Sequence, residues 1–168
     1  MGHPVGFDPK RKNSMNMKAE FINPFLEATI SVLKTMAFLE AIPGKPSMKK
    51  GNSSVGDVSG IVGITGEVEG SLCITFSKEC ILFIISQMLG AQLKDINEEV
   101  KDAVGELTNM ISGDSRRRLQ ELGHVFQGAI PSVISGKGHE VKHITKGPIL
   151  VIPFSTEAGA FTVEVCLK

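Results

Sequence analysis

Asp102, Glu106 and Asn109 stand at spacings of four and three residues, intervals that bring side chains onto one face of an α-helix. A carboxylate and a carboxamide one turn apart suit chemistry that depends on geometry more than on basicity. An Asn side chain donates and accepts hydrogen bonds but is a poor base, so it can orient a water; a Glu beside it can grip a cation. At ~100° per residue Asp102, Glu106, Asn109 and Gly113 fall within about 60° of one another, roughly 140 to 200° from Val104. Val104 itself belongs to an apolar stripe with Val100, Leu107 and Ile111, the side such a helix buries. Glu106 and Asn109 are therefore expected to project together into solvent. Gly105 and Gly113 lie inside or beside the polar stripe, each at a cost of about 1 kcal/mol relative to Ala. A smooth acidic-polar face edged with glycine is suited to receiving another protein's surface. Taken alone, Glu-x-x-Asn is unspecific, and most such residues are simply solvated. It recurs at Glu20 and Asn23, where Pro24 follows and Asn23 reads as an N-cap with proline at the first helical position.

The elements that must position this face follow from periodicity. Helical spacing of Ile22, Leu26, Ile30, Leu33 and Met36 predicts a first helix over about 20 to 41, and the Pro, Gly, Lys and Ser of 43–54 predict a loop. Residues 60–65 and 69–77 read as a strand pair, the second alternating Leu72, Ile74 and Phe76 against Cys73, Thr75 and Ser77. A short apolar helix over 79–89 ends at Gly90, and the long helix runs from about 97 to 122, stopping at Gly123. Strands follow near 125–134, 149–154 and 161–167. The order helix, strands, helix, helix, strands carries a hint of internal duplication. It predicts an α+β fold, long helices packed on a mainly antiparallel sheet, because a parallel sheet would require helices to alternate with strands.

The composition narrows what such a face could meet. With 168 residues, 18 basic against 18 acidic side chains, nine Phe and no Tyr or Trp, the chain fits one globular domain. It lacks the basic excess and stacking surface that nucleic acid requires. Its longest wholly apolar run, residues 81–85, is far short of the ~20 a membrane span needs. Residues 1–18 carry a basic cluster and no apolar period and read as a disordered leader or cloning remnant, leaving 19–168 as the domain. That body has 14 basic and 17 acidic residues, with Asp95, Glu98, Glu99, Asp102 and Glu106 gathered on the approach to the candidate face. Cys73, Cys80 and Cys166 form no CxxC and suit buried thiols in a cytoplasmic, reducing compartment.

Other motifs carry less. His139 to His143 matches HExxH, yet it lies between Gly136, Gly138 and the Gly147-Pro148 pair. In an extended segment its histidines would stand about 13 Å apart, too far to share a zinc, so no metal site is expected and the histidines read as surface residues of a polar loop or strand. Arg116, Arg117 and Arg118 are read as complementing a helix C-terminus and lining its solvent face. Gly136-Lys137-Gly138 lacks the earlier glycine of a phosphate loop. Met36, Met48, Met88 and Met110 read as core filler.

The segment DAVGELTN (102–109), with Pro131 following after 21 residues, resembles the signature of the CheC, CheX and FliY phosphatase family of bacterial chemotaxis. EFINPFLEATISVLKTM (20–36) and IPSVISGKGH (130–139) are similar to the CheX branch. The resemblance covers about residues 17–168 and implies a CheC-like fold and removal of the phosphoryl group from the aspartyl phosphate of a phosphorylated CheY-like receiver domain. It further implies that Asn109 orients the attacking water, that Glu106 engages the regulator's lysine, and that Asp102, Gly105, Gly113 and Pro131 form the docking surface. The Mg²⁺ of the reaction would sit on the regulator and none on this chain, which would pair as a homodimer through sheet edges. The alternative is a non-catalytic module that binds a regulator or a flagellar-switch component with the same face.

Overall fold

The computed structural model describes residues 9–49, 56–139, 141, 143 and 147–168. Residues 1–8 of the stretch read as a leader, and Glu140 of the HExxH sequence, lie outside the described residues. The elements are α1 (Pro9–Ala37), β1 (Ile42–Pro43), β2 (Ser47–Met48), β3 (Val58–Gly66), β4 (Gly70–Phe76), α2 (Lys78–Leu89), α3 (Glu98–Glu121), β5 (Phe126–Gly128), β6 (Ser132–Ser135), β7 (Ile149–Thr156) and β8 (Gly159–Leu167). All strand pairs are antiparallel, in the order β1-β7-β8-β4-β3-β5, with β2 also on β7 and β6 also on β3. This is the expected α+β class. Among the described residues no helix is long and apolar enough to cross a membrane.

Strand alternation divides the sheet into two faces. Val62, Ile64, Leu72, Ile74, Phe76, Ile152, Phe154, Phe161, Val163 and Val165 point to one face and join the buried side chains of all three helices in a single core. Phe154 and Phe161 stack there at 4.9 Å. Local signals fix α2: Ser77 Oγ accepts from the Cys80 amide at 3.3 Å, and Gly90 stops the helix in the left-handed region at φ 64°. The other face of β4 is also buried but polar, carrying Ser71, Cys73 and Thr75, and faces Ser59 and Glu164. Here the histidines corrected from surface residues to packing residues take their places. His139 Nε2 lies 2.6 Å from Ser59 Oγ, and His143 Nδ1 lies 2.5 Å from Ser71 Oγ. The His143 side chain is 1% exposed, 3.6 Å from Glu164, whose carboxylate accepts from Lys49 Nζ at 2.5 Å. Neither histidine lies in a helix, so the HExxH spacing makes no zinc site. The three cysteines are buried free thiols. Burial, with a further push from Glu164, raises Cys73 to about 12.

Several boundaries differ from the sequence reading, the first helix ending at Ala37 rather than near 41. The first helix begins at Pro9 rather than near 20, and Pro24 lies inside it, so Asn23 is an exposed helical residue and not a cap. Proline there removes one backbone donor, while buried Phe21, Phe25, Ala28 and Leu33 hold the helix to the core on either side. The loop at 43–54 carries β1 and β2, which edge the sheet, and Met48 on β2 is half exposed rather than core filler. Residues 125–134 form two short strands, β5 and β6, instead of one.

Two contacts lock the helices onto this frame. A Cβ on Gly60 would stand 1.9 Å from Thr108 Oγ1 and 2.9 Å from Thr108 Cβ, so α3 seats on β3 through the missing side chain. His124 joins α1 to the β3–β4 turn, its Nε2 3.1 Å from Glu20 and its Nδ1 2.8 Å from Glu67. Hydrogen bonds that it donates to Glu20 first, then to Glu67, raise its pKa above the ordinary 6.5. Gly60→Ala is expected to lower unfolding stability by about 1–3 kcal/mol through overpacking, read as a lowered denaturation midpoint. Because the folded-state pKa of His124 is raised, its contribution is full below 6.5 and is lost as pH rises through the folded value. The stability gap between the unsubstituted chain and His124→Gln in urea titrations should therefore be larger near about pH 6 than near about pH 9.

Candidate functional site

The candidate site is built on α3. Asn97 caps it, accepting from the Val100 amide at 2.9 Å, and Glu98 and Glu99 occupy its first turn at the positive end of the helix dipole. Val100, Val104, Leu107 and Ile111 are completely buried, and on the same side Thr108 and Ser115 donate to the Val104 and Ile111 carbonyls at 2.7 and 2.6 Å. Asp102, Glu106 and Asn109 are exposed on the opposite side. Rotation of the helix about its axis is thus fixed by the core, and with it the direction of the polar stripe.

The lower half of α3 is tied down by the arginine run. Arg117 bonds Asp114 and Glu121, each at 2.7 Å, while Arg118 bonds Asp114 at 3.0 Å and reaches Glu27 of α1 at 3.2 Å. Burial raises the Asp114 pKa, but hydrogen bonds and charge from Arg117 and Arg118 outweigh it and hold the carboxyl below its ordinary value. Arg116 turns the other way and lies over Gly128, where a Cβ would meet its guanidinium at 3.0 Å. Arg117 thus lies on the solvent face, as the sequence suggests, with both partners on α3 itself, whereas Arg118 also links α3 to α1.

An open groove of about 810 Å³ runs along the exposed stripe. Helix α3 supplies Glu98, Lys101, Asp102, Gly105, Glu106 and Asn109, and the segment after β5 supplies the opposite wall, residues 128–131 with Val133. Of the residues singled out from sequence, Asp102, Gly105, Glu106, Asn109 and Pro131 line this one groove; Gly113 does not. Pro131 arrives because β6 follows it and pairs along β3, a placement visible only in three dimensions. Cβ atoms on Gly105 and Gly113 would find only ordinary contacts, 3.6 Å from Val133 and 3.9 Å from Arg116. The fold itself therefore does not require either glycine, and the room above Gly105 opens into the groove. Glu20 of the second Glu-x-x-Asn copy is engaged with His124, which makes that copy part of the framework.

Sequence reasoning missed Lys101 and the wall residues Gly128, Ala129, Ile130 and Val133. Lys101 bonds Glu98 at 3.1 Å and tempers the acidity of the groove. Ile130 is 91% exposed, and its place beside Pro131 was hidden inside what reads as a continuous strand. Among the described residues no group of three or more His, Cys, Asp or Glu could hold a metal ion. The arrangement can orient a water through a carboxamide on a fixed helix and engage a cation through a carboxylate one turn away, on a surface open enough to admit a protein.

Comparison with known proteins places these features in context. The family model described as chemotaxis phosphatase CheX matches residues 58–155. A CheY-P phosphatase CheX from Thermotoga maritima is 31% identical over 140 residues, covering 83% of this chain and 89% of that protein. The crystal structure of a chemotaxis protein CheX from Desulfovibrio desulfuricans superposes with a TM-score of 0.83 at 53% identity, over 89% of this chain and 99% of that one. A CheX from Borrelia burgdorferi, solved as a complex with CheY, BeF3 and Mg²⁺, gives a TM-score of 0.75 at 32% identity, over 88% of this chain and 97% of that one.

Proposed function

Since the chain belongs to the CheX family of chemotaxis phosphatases, we propose that its α3 face hydrolyses the aspartyl phosphate of a CheY-type response regulator. The observation that carries this reading is the exposure of Glu106 and Asn109, one turn apart, in the acidic groove of a helix whose rotation the core fixes. The Asn109 carboxamide accepts a hydrogen bond from a water and donates one to it, holding the oxygen in line with phosphorus. That oxygen bonds phosphorus as the bond from phosphorus to the aspartyl oxygen breaks. The regulator recovers its carboxylate, inorganic phosphate leaves, and the water's protons pass to phosphate and solvent. Because the phosphoryl transition state is loose, positioning contributes more than general-base help. Glu106 pairs with the regulator's active-site lysine and aligns the two proteins, while Asp102, Gly105 and Pro131 shape the approach, with Gly113 one turn beyond Asn109. Mg²⁺ belongs to the regulator, where it neutralises developing charge. The reading places the chain in the cytoplasm with its receiver.

A homodimer completes this reading. Phe38, Ile42 and Met48 are exposed apolar residues at the β1–β2 end of the sheet, where a second copy would cover them. Phe38 holds a left-handed φ of 51° there, a conformation costly for an aromatic residue.

Phosphate release from a phosphorylated receiver with Mg²⁺ tests the chemistry. The unsubstituted chain should accelerate release, and Asn109→Ala should lose on the order of a hundredfold of that acceleration, with receiver binding retained. Glu106→Ala should lose both binding and rate. Acceleration that survives Asn109→Ala overturns the mechanism, and binding without acceleration by the unsubstituted chain identifies a non-catalytic module. Sedimentation should give twice the chain mass, and a monomer at micromolar concentration would remove the dimer.

A further inference from the structure

The wall of the groove opposite α3 contains a register break. On β3, Ile64 pairs with Gly128 of β5 and Ile61 pairs with Ser132 of β6. Three steps along β3 are thus spanned by four along the partner. One residue is in excess, the defining geometry of a β-bulge, a device that re-aims side chains beside functional sites. The excess can be confined to two residues. Gly128 lies under the Arg116 guanidinium on the helix side of the sheet, and the Ala129 amide donates to the Gly63 carbonyl at 2.9 Å. Ala129 Cβ is the nearest atom, 3.8 Å from where a Cβ on Gly63 would stand, so Ala129 faces the other side. Val133 approaches Gly105 of α3 at 3.6 Å and has returned to the helix side. Ile130 and Pro131 are left between Ala129 and the paired Ser132, Ile130 being 91% exposed at the lip of the groove.

A large aliphatic side chain at this exposure normally belongs to a loose loop. This one lies between two flanks that pair with β3, two residues after the Gly128 against which Arg116 packs and directly before the fixed φ of Pro131. Its exposure is built in. The groove it overhangs presents Glu98, Asp102 and Glu106 against the single cation Lys101, so a partner there meets an acidic floor and one rigid apolar knob. Such an anchor beside a polar rim is the usual anatomy of a binding hot spot.

We infer that Ile130 is the apolar anchor of the receiver-docking surface, inserted by the bulge between β5 and β6 into an apolar recess that the receiver presents beside its active-site lysine. The inference rests on the phosphatase reading for the identity of the partner. It assigns Ile130 to association and leaves turnover to Glu106 and Asn109. Since the side chain makes no part of the core, Ile130→Ser leaves the fold intact, checked by an unchanged denaturation midpoint.

The test measures two quantities on the full chain: calorimetric affinity for a receiver loaded with Mg²⁺ and beryllofluoride, which stands in for the phosphoryl group, and steady-state phosphate release. Ile130→Ser should weaken affinity and raise KM by about tenfold or more, with kcat within about twofold. Ile130→Leu, keeping the apolar volume, should restore most of the affinity. Unchanged affinity and KM in Ile130→Ser overturn the anchor, as does a fall in kcat at unchanged KM. Should the unsubstituted chain bind the receiver without accelerating release, and Ile130→Ser weaken that binding, the anchor stands and the phosphatase reading falls.

Discussion

Everything at the candidate site depends on how closely α3 can lie on β3. At Gly60 the strand offers no side chain, and Thr108 settles into the space, its hydroxyl satisfied by the Val104 carbonyl one turn back. Around that point Val100, Val104, Leu107 and Ile111 are withdrawn completely from water. A helix held at a set depth and rotation has one remaining face, whose direction follows from the 100° step of the backbone. Asn109, next to Thr108 in sequence, is thereby aimed outward by a contact that it does not itself make. Positional catalysis needs this kind of support, since a carboxamide that wandered would contribute little to a reaction limited by alignment.

The long helix was legible in the sequence because every signal for it is local. Asn97 before the first turn, the apolar stripe and Gly123 beyond the end mark α3 within a residue or two of Glu98–Glu121. Stripe and counter-stripe also gave the burial of Leu107 and the exposure of Glu106 and Asn109. What escaped was set by distant partners. Pro24 looked like a helix start because proline's local cost is plain in sequence, whereas the packing of Phe21 and Phe25 that offsets it is not. The stretch 125–134 looked like one strand because a single excess residue leaves the composition unchanged; only the pairing with Ile64 and Ile61 shows the break. The arginine run gave no sign that Arg118 would reach Glu27, ninety-one residues earlier in the chain.

The sheet's second face shows the same limit in its chemistry. The sequence alternates Leu72, Ile74 and Phe76 with Cys73, Thr75 and Ser77, yet Cys73 and Thr75 are as buried as the three apolar residues, and so is Ser71. Polar groups on that side pair with one another and with the arriving His139 and His143: Ser59 with Thr75 at 2.6 Å, Ser59 with His139, Ser71 with His143 Nδ1, and Lys49 with Glu164, while His143 Nε2 is buried 3.6 Å from Glu164. Buried polar groups stay stable when paired in this way. The HExxH spacing is therefore a coincidence of two histidines that each answer a different serine.

Division of α3 between its two faces has an evolutionary consequence. Folding constrains the inward residues tightly and is indifferent to the outward ones, since no described contact of the core passes through Glu106 or Asn109. Selection on stability alone would fill Gly105 and Gly113 with larger residues and let Asn109 drift. The chemistry proposed for the groove would oppose that drift. On the proposed reading, substitution of Asn109 alone would discard catalysis while fold and receiver binding persist, so the scaffold is poised to yield pure binding proteins from enzymes.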